Sequence, residues 1–484
     1  MEDHLMLIDG EWVGSSSGAF IEVENPATEE VFARVPEATG REVTLALEAA
    51  QRAFPGWSRL SPDQRGEYLW QASHILEERK EEIARVLTRE QGKPVKEAVG
   101  EIEKTVEMLR YYAEEGKRAY GQIIPNPDPS YQSLVLRQPI GVVAALSPWN
   151  YPVELTGWKA AAALAAGCTV VAKPPSLTPL SPLQFWKCLA DAGIPRGVIN
   201  AVTGPGRTLG RQLIQSPITG KIAFTGSAEV GQDILANCKG VKKISLELGG
   251  HCPLIISRNS DLSSAVRGAV RRSFRNMGQI CIAINRIYVH ESISESFLEE
   301  FAKAASGLAI GNGLDKDPCD LGPMASREGL EKTKRHIQDA LSKGARLVCG
   351  GKRPDGAEFA RGYFFEPTIL ADVDHHMLLM NEETFGPVVG VMTFQTLQEA
   401  VELANSTPYG LASYVYTNDL HEMAYLTREL QAGSVAVNNV DAGIINAPYG
   451  GWKQSGVGYE HGHAGLEEYL HQKHIRIRYH EAVS

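Results

Sequence analysis

Between Ser61 and Gly92 the apolar residues Leu69, Ala72, Leu76, Ile83 and Leu87 recur at helical spacing behind Ser61-Pro62, which joins an N-cap to a first-turn proline. The pattern predicts one helix that Gly92 stops. Val95, Val99, Ile102, Val106 and Leu109 follow at spacings of four, three, four and three and predict a second, stronger helix. Both read as structural helices with no chemistry.

From Gly141 the rhythm changes. Short β-branched runs at 142–146, 169–173, 198–202, 221–224 and 243–248 alternate with helical stretches that begin near Val153, Pro182, Thr208 and Ser227. Strands separated by crossover helices predict a parallel sheet of the nucleotide-binding kind. A second alternation runs from Gly249 to about Val440, with strands at 252–256, 286–289 and 388–394 and helices at 294–305 and 331–342. The fold class is therefore α/β. Two further strand candidates, 132–137 and 475–479, fall outside both rhythms and lie far apart in the chain. They form either a protruding hairpin that pairs with another subunit or two edge strands of one monomer, and the residues weigh these equally.

Composition narrows the classes of function. With 484 residues, 43% hydrophobic and 22% charged, the chain has the make-up of a globular protein with a large core. No apolar stretch approaches the roughly 18 to 20 residues of a membrane span. The start, Met-Glu-Asp-His, has no basic region ahead of an apolar one, so the expectation is a cytoplasmic protein without a secretory or transit signal. A net charge of −10 without a Lys/Arg cluster argues against a nucleic-acid partner. The seven cysteines, at 168, 188, 238, 252, 281, 319 and 349, show no CxxC spacing and read as reduced thiols. His375-His376 and His461-x-His463 lack a third ligand at metal spacing; they read as surface or packing residues, and no metal is expected.

Four segments could carry chemistry. Cys281 follows a Gly278-Gln279 step, and a cysteine is nucleophilic as its thiolate. Glu247 sits in an apolar run before Gly249-Gly250, where low polarity raises a carboxyl pKa towards the range of a general base. Asn150, in Pro148-Trp149-Asn150-Tyr151-Pro152, is an amide held in a stiff loop and able to stabilise an oxyanion. Phe224-Thr225-Gly226-Ser227 is a strand turning into a helix, whose N-terminus can receive a phosphate. Taken singly each has a plainer explanation: an inert buried thiol, a strand-end carboxylate facing water, a turn-forming asparagine, an ordinary strand-to-helix turn. Gly204-Pro-Gly206 with Gly210 does not meet the spaced dinucleotide fingerprint.

Together with Ile8-Asp9-Gly10-Glu11-Trp12, Lys173-Pro174, Asn381-Glu-Glu-Thr-Phe-Gly-Pro387 and Pro448-Tyr-Gly-Gly-Trp-Lys-Gln-Ser-Gly456, these segments stand in a fixed order along nearly the whole chain. In that order the sequence resembles the hydrolytic NAD(P)-dependent aldehyde dehydrogenases. The resemblance implies a Rossmann-like cofactor domain (1–118 and 139–249), an α/β catalytic domain (250–455) and a small β oligomerisation region (119–138 and 456–484). A homodimer or homotetramer follows from it. It assigns Cys281 as nucleophile, Asn150 with the Cys281 amide as oxyanion donors, Glu247 as the hydrolytic base, and Lys159 and Glu460 as a proton relay. It places Trp149, Lys173, Ser176, Gly226, Ser227, Glu383 and Phe385 at NAD or NADP. Ser176 stands where many NAD-restricted relatives have a glutamate that repels a 2′-phosphate, so both cofactors are expected.

For the substrate the resemblance divides. Arg275, six residues before Cys281 in Phe-Arg-Asn, resembles the carboxylate-reading arginine of the succinate semialdehyde branch. Trp158 replaces that branch's second arginine and Ala283 its redox partner cysteine, while Trp158, Ile444 and Ile445 add apolar area. A medium aliphatic or aromatic aldehyde is therefore expected, with succinate semialdehyde as the alternative. CoA-acylating relatives typically lack the glutamate represented by Glu247. A non-catalytic binding or structural descendant would be marked by loss of Cys281 or Asn150, and both are present.

Overall fold

The computed structural model describes residues 2–315 and 318–479. Its largest sheet has eight strands in the order Gly456–Val457, Lys243–Glu247, Thr219–Thr225, Val142–Leu146, Thr169–Lys173, Ile199–Ala201, Met6–Ile8 and Glu11–Val13. The five inner strands from Lys243–Glu247 to Ile199–Ala201 run parallel. Val142–Leu146 and Thr169–Lys173 are buried throughout, as strands covered on both faces must be. Val143, Ala145, Val170 and Ala172 face a core built with the helices Pro62–Glu78, Val95–Glu115, Pro152–Ala166 and Leu180–Asp191. Val142, Ala144, Leu146 and Val171 face the opposite core, against Gly40–Ser58.

A seven-stranded sheet follows, in the order Arg346–Cys349, Thr368–Ala371, Val388–Phe394, Ile284–His290, Cys252–Ile256, Ala412–Tyr416 and Ser434–Val437. Its core is a separate cluster centred on Leu254, Ile255, Ile287, Val289, Val389 and Val391. The two strands outside the βα rhythm are Tyr131–Pro139 and Leu470–Arg478. They pair antiparallel with each other within one chain, and Gln122–Ile124 adds a third strand.

The structure corrects the sequence reading in two places. The expected single helix from Ser61 to Gly92 is two, Pro62–Glu78 and Lys80–Gln91, because Arg79 (φ −95°, ψ 5°) leaves helical geometry between them. The lead before Ser61 also holds strands Phe20–Asn25 and Glu30–Pro36 and the helix Gly40–Ser58, which Thr39 and Glu42 start with a capping box. Among the described residues no helix is long and apolar enough to cross a membrane.

Register explains the site's position. Lys173 lies opposite Leu146, Leu146 opposite Phe224, and Thr225 opposite Glu247, so four parallel strands end together. Loops leaving that row meet the segments that enter the amino ends of Ile284–His290 and Val388–Phe394 in the second sheet. Carboxyl ends of an open parallel sheet are where such folds bind ligands.

Candidate active site

Cys281, on the segment entering Ile284–His290, lines two cavities, as do Asn150 and Leu155. The larger, about 490 Å³, runs past Pro148, Trp149, Thr225, Gly226, Ser227, Glu383 and Phe385. The smaller, about 100 Å³, is walled by Tyr151, Trp158, Ile280, Ile282, Tyr449 and His461. The thiol Sγ lies 3.7 Å from the Tyr449 hydroxyl. Burial, and then the charge of Glu247, push the Cys281 thiol well above its ordinary pKa, so it rests protonated.

Glu247 ends its strand in the interior at 2% exposure, and neither carboxyl oxygen has a hydrogen-bond partner among the described residues. Burial first, and Glu460 second, raise its pKa to about 7. Beneath it Lys159 Nζ donates to Thr225 Oγ1 (2.6 Å) and to Glu460 Oε1 (2.8 Å). Lys159 is on the helix Pro152–Ala166, whose dense alanines bring it close against the sheet. A base poised near neutral pH beside a thiol, with a buried lysine and carboxylate behind it, can move protons to and from that thiol.

Asn150 is buried and donates through Nδ2 to the Gln279 carbonyl (3.0 Å). An amide group has two N–H donors, so one anchors the plane and one is left for a substrate oxygen.

On the larger cavity, Ser227 caps the helix Ala228–Asn237 by accepting from Val230 N (3.4 Å). Glu383 accepts from Gly250 N (3.0 Å), and its burial lifts the carboxyl to about 7. A Cβ at Gly249 would come within 2.6 Å of Glu383 Oε2, so a larger residue there would displace this carboxyl. Trp149 and Phe385 meet edge to face at 5.5 Å, with Phe385 in the left-handed region at φ 58°. A neighbouring cavity of about 610 Å³ is lined by Lys173, Gly206, Arg207, Arg211 and Glu229. Burial lowers Lys173 to about 8, and its Nζ reaches the Pro174 (2.7 Å) and Gly204 (3.4 Å) carbonyls. Ser176 Oγ donates to the same Gly204 carbonyl (3.0 Å). A capped helix start, a lysine and an acid spread along two adjoining cavities fit the phosphates and riboses of a dinucleotide.

The chain matches the family model described as "Aldehyde dehydrogenase family" over residues 12–475. It belongs to that family. It is 44% identical to 3-sulfolactaldehyde dehydrogenase of Pseudomonas putida, covering 97% of this chain and 96% of that one. Succinate-semialdehyde dehydrogenase [NADP(+)] of Escherichia coli is 42% identical, with 97% of each chain covered. Betaine aldehyde dehydrogenase of Staphylococcus aureus, solved in complex with NAD+, superposes with a TM-score of 0.96 at 36% identity, over 99% of this chain and 95% of that one.

Within this aldehyde dehydrogenase the expected site residues are mostly brought together, with two corrections. Ile444 is 61% exposed and does not line the small cavity; Ala442 and Gly443 do, because the loop turns Ile444 outward and leaves its carbonyl to accept from His461 Nδ1 (3.3 Å). His461 is more than a packing residue. It lines that cavity with its ring 4.1 Å from Trp158 and is held neutral by burial, which lowers its pKa to about 4. Arg275, which lines the same cavity, is engaged by Glu97 (2.9 Å), an acid that also accepts from Tyr151 (2.8 Å). Lys104, Arg272 and Asp441 complete the mouth, and no motif in the sequence singles them out. Thr225 and Tyr449 lie inside the quoted motifs without a role assigned by the sequence. Among the described residues no cluster of three potential metal ligands occurs.

Proposed function

We propose that this chain oxidises short aldehydes bearing a distal anionic group to acids, using NADP or NAD, with Cys281 as nucleophile. The observation that carries the reading is the meeting of two cavities at Cys281, a small one for the aldehyde and a long one for a dinucleotide.

Glu247, half ionised near pH 7, takes the proton of the Cys281 thiol. The thiolate attacks the aldehyde carbon, and the free N–H of Asn150 with the Cys281 amide receives the developing oxyanion; one such donor is worth about 3 to 4 kcal/mol of barrier. When bound, a nicotinamide dinucleotide supplies the hydride acceptor for the step that leaves a thioester on Cys281. Once it has passed the thiol proton on, Glu247 removes a proton from water as it attacks the thioester carbon, and the acid departs as the sulfur leaves. Thr225, Lys159 and Glu460 offer the route by which Glu247 sheds its proton.

The distal anion follows from charge at the small cavity's mouth. Lys104 has no ion pair among the described residues, and Arg272 and Arg275 stand with it. Opposing them, Glu97 pairs with Arg275, Asp441 is shared between Arg271 and Arg272, and Glu154 is raised to about 7 by burial, which leaves Lys104 as the cation without an ion pair among the described residues. The relatives that act on a sulfonated and a carboxylated aldehyde support the same choice, so we take the anionic alternative over the apolar aldehyde that the sequence favours. Trp158 and Tyr449, edge to face at 5.5 Å, then grip the alkyl segment. A panel of succinate semialdehyde, hexanal and benzaldehyde tests this. Succinate semialdehyde should show the highest kcat/KM, reduced by Lys104→Ala and by salt. A higher value for hexanal or benzaldehyde would overturn the anionic reading.

We also assign the three-stranded sheet to self-association. Tyr120 (71% exposed) and Ile123 (72%) lie on it or beside it, which supports a covered surface. Light scattering should give a dimer or tetramer, and a monomer at micromolar concentration would contradict the assignment.

A further inference from the structure

The turn between the helices Lys80–Gln91 and Val95–Glu115 carries a lysine with no exposed side-chain surface. Lys93 Nζ donates to Glu101 Oε2 (2.6 Å) and to the backbone carbonyl of Asn150 (2.7 Å), and it stands 3.7 Å from the centroid of the Tyr151 ring. Burying an ammonium is expensive unless it is paired and hydrogen-bonded, and here it makes an ion pair, donates two hydrogen bonds and lies against the Tyr151 ring. Glu101 is equally buried, and its other oxygen accepts from Val153 N (2.9 Å) and Glu154 N (3.2 Å) at the start of the helix Pro152–Ala166.

The same turn reaches the cysteine loop. Gln91 Oε1 accepts from the Lys93 amide (2.9 Å), and its Nε2 donates to Asn276 Oδ1 (3.0 Å). Asn276, in the left-handed region at φ 49°, donates to the Asn150 carbonyl (3.2 Å) and towards the Gln279 carbonyl (3.4 Å). Asn150 Nδ2 closes the ring on Gln279. Gln91, Lys93, Asn150, Gln279 and Asn276 thus form a closed hydrogen-bonded ring that joins the Asn150 loop to the segment bearing Cys281.

We propose that Lys93, held by Glu101, is a positioning residue that fixes the Asn150 amide relative to Cys281. It touches neither aldehyde nor cofactor, and it rests on the reading of Asn150 as oxyanion donor. With the Lys93 donor gone, the Asn150 carbonyl keeps, among the described residues, the bond from Asn276 alone, so the loop can tilt and carry the amide off its line to the substrate oxygen. A displacement of about 1 Å in such a group can cost on the order of a hundredfold in rate.

Removing Lys93 alone would leave Glu101 charged and unpaired in the interior, so the test uses the neutral pair Lys93→Met/Glu101→Gln in the full-length protein. The introduced glutamine can still accept from the two helix amides through its side-chain carbonyl. The pre-steady-state burst of NADPH with saturating succinate semialdehyde is read beside Tm and NADP affinity. The burst rate should fall tenfold or more, with NADP affinity and Tm near wild type, while Glu101→Gln alone, which keeps the Lys93 donor, falls less. Combined with Asn150→Ala, the neutral pair should cost nothing further, because it acts through the same amide. A wild-type burst in the neutral pair, an equal loss in Glu101→Gln alone, or losses that multiply with Asn150→Ala would overturn the proposal while leaving Asn150 as the donor. An unchanged burst in Asn150→Ala itself would remove the donor reading and the proposal with it.

Discussion

Replacing Glu247 by glutamine should stabilise the protein at alkaline pH while destroying its turnover. The carboxyl is buried without a hydrogen-bond partner among the described residues, and its pKa stands at about 7 against an ordinary 4.5. The folded state therefore holds this proton more tightly than the unfolded chain, and stability falls as pH rises through the window between those values. Each pH unit in the window costs about 1.4 kcal/mol, so the ionised carboxylate costs the fold about 3 kcal/mol once pH exceeds 7. Glutamine occupies the same volume and never ionises. The variant's advantage over wild type should thus be about 2 to 3 kcal/mol larger at pH 8 than at pH 5, the remainder being already present at pH 5. Paired thermal melts at the two pH values measure it. Units of 150–250 residues shift by about 2 to 4 °C per kcal/mol, so the Tm gap should widen by several degrees between pH 5 and pH 8. Other raised groups, such as Glu383 and Glu154, are common to both proteins and cancel in the difference. A gap that is the same at both pH values, or that narrows at pH 8, would show that Glu247 is not held protonated by burial and would undercut its role as a base.

Cys281→Ala should abolish dehydrogenase turnover, leaving less than about 1% of it, while cofactor binding and Tm stay near wild type, since only a small side chain is lost; retained turnover in a preparation free of host enzyme would refute its role. Ser176→Glu, placed beside Lys173 on the shared Gly204 carbonyl, should lower the NADP/NAD ratio of kcat/KM by about tenfold, the equivalent of about 1.4 kcal/mol of repulsion. An unchanged ratio would move cofactor choice elsewhere, Arg207 at the same cavity being the next residue to test.

The strands Val142–Leu146 and Thr169–Lys173 are legible to the residue because a strand buried on both faces leaves an uninterrupted apolar run. The break at Arg79 is not, since the apolar stripe resumes in phase from Leu76 to Ile83 and only the backbone angles reveal the interruption. Cys281, Glu247 and Asn150 can be named from motifs, but their meeting depends on two sheets facing each other, which no local pattern encodes. Lys93 and Glu101 illustrate the limit. On the helical pattern they are polar residues flanking the apolar stripe of a structural helix, and only the tertiary packing turns them into a buried pair beneath Asn150. Ile444 errs in the other direction, for an apolar residue near a cavity mouth can still face solvent.

In the proposed mechanism oxidation passes through an acyl group on Cys281 that Glu247 releases. Its most direct test is Glu247→Gln mixed with NADP and succinate semialdehyde in a stopped-flow cell, quenched in acid and digested for mass spectrometry. The expected result is an NADPH burst that still approaches one per site but forms many times more slowly than in wild type, because Glu247 no longer takes the Cys281 proton, followed by still slower turnover and a succinyl adduct on the peptide containing Cys281. A burst with no adduct on that peptide, or an adduct on another residue, would rule out Cys281 as the acyl carrier.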